Sequence, residues 1–93
     1  MVRRVAIVFG RVQGVGFRDS VVAHAWNFAV AGTVRNLSES GAVEIDVEGE
    51  PREVERFIAA VLARPPAWAR VDDVVHREEA PLGRTGFARA RTV

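Results

Sequence analysis

Gly10-Arg11-Val12-Gln13-Gly14-Val15-Gly16-Phe17-Arg18 separates a strand-like apolar run from a helix-like one. Glycine lets the backbone take positive φ and approach a ligand closely. A strand, a glycine-rich turn and a helix N-terminus in succession can aim several backbone N–H groups at one point. The helix dipole makes that point attractive to an anion. Arg18 falls in the first turn of the predicted helix, where its guanidinium fork can hold a phosphate or carboxylate through paired hydrogen bonds. These residues alone fit two readings: an anion site, or a tight turn beside a solvated arginine.

Outward from this loop, residues 3–9 read as a strand, with Val5, Ile7 and Phe9 on one face and Ala6 and Val8 on the other. Downstream, Phe17, Val21, Ala25 and Phe28 recur at helical spacing and predict a helix over 17–30, with Gly32 as its C-terminal cap. Residues 33–37 and 42–48 read as strands joined by a turn at 38–41, hence an antiparallel hairpin. In the second of them Val43, Ile45 and Val47 point inward and Glu44, Asp46 and Glu48 outward. Pro51 suits the first position of a second helix, whose apolar stripe is Val54, Phe57, Ile58, Val61 and Leu62. Arg64-Pro65-Pro66 stops it. Residues 70–78 form a fourth strand, 80–83 a loop and 85–90 a short last strand around Phe87. The order predicts an α+β, ferredoxin-like βαββαβ sandwich, an antiparallel sheet with two helices on one face.

The 93 residues are enough for one domain, 1–93, with a modest core. The chain lacks cysteine, which excludes disulfides and thiolate chemistry. Every one of its 13 basic residues is arginine, so lysine Schiff-base and P-loop lysine chemistry are excluded as well. A net charge of +1, with the charges interspersed, is no nucleic-acid footprint. No apolar run approaches the ~20 residues of a membrane span, and the short run at the start reads as a strand rather than a signal peptide. A cytoplasmic, monomeric protein is expected. His24 and His76 have no partner at ligand or triad spacing and are expected to be structural. Asp72-Asp73 and Glu78-Glu79 are strand neighbours that point to opposite faces and do not converge. Trp26 and Trp68 are expected to fill the helix–sheet core or cover its edge.

The segment from Gly10 to Arg18 resembles the signature of the acylphosphatase family, and so does Gly32-Thr33-Val34-Arg35-Asn36 at the family's spacing. Gly41 at the hairpin turn, Val47-Glu48-Gly49, Pro65-Pro66 and Thr85-Gly86-Phe87 extend the resemblance over essentially the whole chain. It implies hydrolysis of acyl phosphates to carboxylate and inorganic phosphate, with no metal and no organic cofactor. By the same resemblance, the backbone of Gly10, Arg11, Val12, Gln13, Gly14, Val15, Gly16 and Phe17 would bind the phosphoryl oxygens, with Arg18 as the substrate-binding arginine. Asn36 would be the catalytic asparagine that positions the attacking water. Thr33 departs from the aromatic often found at its position, and Phe28-Ala29-Val30 from a Leu-Gly-Leu-like segment; neither site is catalytic. Asp19 brings a negative charge beside Arg18 and is expected to point to solvent.

Two other readings share the element order. RNA-recognition domains stack bases on aromatics of the first and third strands. Here the third strand has no aromatic and alternates with acids. A non-catalytic relative, or the front domain of a larger maturation protein, fits less simply than a free-standing enzyme with both Arg18 and Asn36 intact.

Overall fold

Strand β3 (Val43–Gly49) is buried along almost its whole length. The computed structural model, which describes residues 1–93, sets it at the centre of the sheet. The other elements are β1 (Val2–Arg11), α1 (Phe17–Ala25), β2 (Val30–Asn36), α2 (Pro51–Ala63), β4 (Arg70–Glu79) and β5 (Phe87–Arg89). The strand order is β4-β1-β3-β2-β5. The four long strands pair antiparallel, and β5 adds a parallel edge beside β2, which makes the sheet mixed.

Register sorts the side chains. Ala6 opposes Ile45 and Val8 opposes Val43, while Val34 opposes Ile45 from the other side. These residues meet Phe17, Val21 and Ala25 of α1 and Val54, Phe57, Ile58 and Val61 of α2 in one core. The period of 2 on the strands and of 3.6 on the helices therefore lead to one apolar layer, as the sequence predicts.

Four expectations need correction. Helix α1 ends at Ala25, not at residue 30. The amides of Asn27 and Phe28 bond back to the carbonyls of His24 and Ala25, three residues behind, and this tightened turn closes the helix. Phe28 keeps its place in the core from outside the helix, edge-on to Phe57 at 6.1 Å. Helical spacing alone could not separate the two cases. Gly32 is accordingly no helix cap. It lies inside β2 at φ 148°, and a Cβ there would sit 1.9 Å from the Asp46 carbonyl oxygen. Gly10 and Arg11 belong to β1, paired with β4 across an irregularity after Phe9, so the loop proper begins at Val12. Trp26 and Trp68 are 84% and 75% exposed and fill no core.

The outward acids of β3 are also not what alternation suggests. Glu48 is 2% exposed and Asp46 9%. β4 and β5 lie on opposite edges, so the chain between them crosses the sheet face that carries no helices. Glu48 Oε1 accepts the amides of Leu82, Gly83 and Arg84 at 3.1, 2.7 and 3.3 Å. Arg84 returns its Nε to Glu48 and its Nη2 to Asp46, each at 2.6 Å, and Arg3 holds Asp46 through two bonds of 2.9 Å. Burial alone would raise both carboxyls. The arginine partners, and for Glu48 the amides of Gly83 and Arg84 in this crossing segment (the strap), outweigh it and hold both below the usual carboxylate range.

Candidate active site

The C-terminal ends of β1 and β2 and the start of β3 lie at one end of the sheet, since Asn36 pairs with Val43 and Val43 with Val8. The glycine loop turns there from β1 into α1. Gly14 and Gly16 take positive φ of 73° and 80°. Gly16 is the N-terminal cap residue of α1, and no side chain caps that helix. None of the amides of residues 12–16 donates to a backbone acceptor. A helix start normally finds a capping oxygen from Ser, Thr, Asp or Asn. Here a glycine leaves the position open, and the dipole's positive end faces outward.

A cavity of about 220 Å³ forms against this loop. Val12, Gly14, Gly16 and Phe17 line it, together with Arg18, Asp19 and Arg89. Arg18 takes part in no ion pair. Asp19 does point outward: its side chain is 71% exposed and pairs with Arg89 Nη1 at 2.8 Å. No motif in the sequence singles out Arg89. It comes from β5, and nothing in a three-residue strand signals that it folds beside α1.

Of the remaining expected residues, Gly10, Arg11, Gln13 and Val15 do not line the cavity. Val15 packs against the core. The side-chain amide of Gln13 donates to the carbonyls of Leu37 and Ala42, both at 2.9 Å. These two carbonyls flank the β2–β3 hairpin, so Gln13 ties the loop to the strand end that carries Asn36. Asn36 does not line the cavity; the loop reaches its neighbour Leu37 through Gln13. Its Oδ1 is buried and has no hydrogen-bond partner. An unmet buried acceptor costs on the order of 1–3 kcal/mol and calls for a functional account.

Known proteins carry the same layout. The acylphosphatase family model matches residues 4–89. The chain belongs to the acylphosphatase family. An acylphosphatase of Thermococcus kodakarensis is 46% identical over 80 residues, 86% of this chain and 86% of its own length. The crystal structure of acylphosphatase from Bacillus subtilis superposes with a TM-score of 0.89 at 35% identity, covering 97% of this chain and 99% of that one. Full-length HypF, in its phosphate- and nucleotide-bound form, also matches at a TM-score of 0.89 and 34% identity, over 98% of this chain but 12% of the larger protein. Acylphosphatases are hydrolases acting on acid anhydrides, and this chain shares that class with its family.

Proposed function

We propose that this acylphosphatase hydrolyses small acyl phosphates by holding the phosphoryl group on the open loop amides and Arg18, with Asn36 directing the water. The observation that carries this reading is the run of loop amides, residues 12–16, free of backbone acceptors beside an arginine free of carboxylates. Donors fixed before substrate arrives need no reorganisation as charge shifts during the reaction.

Phosphoryl transfer is governed mainly by positioning and by charge stabilisation at the equatorial oxygens. The amides and the guanidinium supply that stabilisation. A carboxamide can orient water through its oxygen but cannot act as a base near neutral pH. The water's proton therefore passes to an oxygen of the substrate phosphate. The P–O bond to the acyl group breaks, and its electron pair stays on a carboxylate of low pKa that needs no general acid.

The test is hydrolysis of benzoyl phosphate in the presence of a chelator, with inorganic phosphate as inhibitor. Turnover that survives chelation and is competitively inhibited by phosphate supports the reading. Loss of turnover on chelation, or indifference to phosphate, overturns it.

A further inference from the structure

We propose that Arg89 is a further catalytic residue, the group that receives the departing carboxylate. The inference rests on the phosphoryl reading of the cavity just given. Two guanidiniums line that cavity, from different elements and in different states. Arg18 stands in the first turn of α1 without an ion-pair partner. Arg89 stands on β5 and is held by Asp19 through a single bond from Nη1.

Size places the two along the substrate. About 220 Å³ is below the ~300–1,000 Å³ of ordinary small-molecule pockets. A phosphoryl group and its bridging oxygen fit inside, and the acyl part must leave over the rim. The rim is where the exposed Asp19–Arg89 pair stands. One contact leaves most of the guanidinium's five donors unused by protein. An exposed pair of this kind is held weakly.

Chemistry identifies what exchanges with Asp19. Asp19 is itself a carboxylate, and its one bond to Nη1 takes part of the fork that the leaving carboxylate would take. In the reaction the attacking water forms a new P–O bond, the P–O bond to the acyl oxygen breaks, and the electron pair makes that oxygen part of a carboxylate anion. The water's proton goes to the phosphate. Arg89 gives up no proton; it supplies a fixed positive charge and a bidentate fork to an anion of matching geometry. Asp19 stores Arg89 at the rim between turnovers and takes it back when the product leaves.

The test compares Arg89→Ala, Arg89→Lys and Asp19→Asn on a series of substituted benzoyl phosphates, with benzoate and inorganic phosphate as product inhibitors. Arg89→Ala is expected to lower kcat on the order of tenfold, less than a fully buried donor would because the rim is wet. The loss should grow as the leaving carboxylate becomes more basic, and benzoate inhibition should weaken while phosphate inhibition stays. Arg89→Lys should recover part of the loss. Asp19→Asn breaks the same ion pair but frees the fork, so benzoate inhibition should strengthen. Equal losses in Arg89→Ala and Asp19→Asn would mean the pair is only structural. Unchanged leaving-group dependence, or phosphate inhibition weakened as much as in Arg18→Ala, would also overturn the proposal. If phosphate fails to inhibit the wild-type enzyme and Arg18→Ala stays active, the phosphoryl reading itself has failed, which is a separate pattern.

Discussion

The two ends of the sheet handle charge in opposite ways. At the strap end, Arg3, Asp46, Glu48 and Arg84 satisfy one another, and three backbone amides complete the set. At the loop end, the amides of residues 12–16 have no backbone acceptor, Arg18 has no counter-ion, and Asn36 Oδ1 is orphaned. Stability alone would close both ends. Beside the cavity only Arg89 is paired, to Asp19, and the proposed reading makes the unpaired groups there the ones that meet the phosphoryl group. The contrast separates an ion cluster whose members satisfy one another from a loop whose donors the proposed reading assigns to substrate.

The strap end should show the larger effect on folding. Arg84→Met leaves Glu48 and Asp46 short of a cation, and breaking a buried pair in this way costs about 3–5 kcal/mol. Denaturant unfolding measures the loss, and kcat of the folded protein should not change. If Arg84→Met instead lowered turnover at full stability, the division of roles between the two ends would collapse.

Arg18→Ala should show the reverse. Losing a preorganised donor to an oxyanion costs about 2.7–4 kcal/mol, a hundredfold to a thousandfold in turnover. Binding should weaken too, because the phosphate is charged in both ground and transition states. The unfolding midpoint should stay put, since Arg18 makes no ion pair.

Asn36→Ala sharpens the comparison further. Turnover should fall with a smaller effect on KM, the mark of a group acting mainly in the transition state. Stability should hold or rise by up to about 1 kcal/mol, because an unmet buried acceptor is removed. A variant that keeps near-full turnover contradicts the water-positioning role.

Acid supplies the smallest effect. The Asp46 and Glu48 carboxyls titrate lower in the folded chain than in the unfolded one. The unfolded chain therefore binds more protons in that range, and stability rises with pH through it. The contribution is fully present above the ordinary carboxylate pKa of about 4 and is lost as pH falls through the folded values. Unfolding midpoints between neutral and strongly acidic pH should drop accordingly, and Glu48→Gln should flatten the drop. Equal slopes for both proteins would remove Glu48 from the account.

The turn from β1 into α1 was legible in the sequence, because local chemistry builds it, although Gly10, Arg11, Gln13 and Val15 do not line the cavity. Glycine spacing, an arginine in the first helical turn and the helix itself are all neighbours along the chain. What escaped came from distant contacts. Alternation puts Asp46 and Glu48 on the outer face correctly, but only the path of residues 80–86 across that face decides that they are buried. Arg89 reaches the cavity through a parallel pairing of β5 with β2 that a three-residue strand does not announce. Phe28 kept helical spacing while lying outside the helix, since its contact with Phe57 serves the core from either conformation. Trp26 and Trp68 show that aromatic identity alone does not place a residue inside.

The central claim is that the open amides and Arg18 make one anion pocket. Titrating inorganic phosphate while following the backbone amide NMR signals tests it most directly. The account predicts saturable shifts concentrated in residues 12–18 that disappear in Arg18→Ala and leave the strap residues 82–84 unmoved. Shifts centred on the strap face, or none at all at the loop, would contradict it.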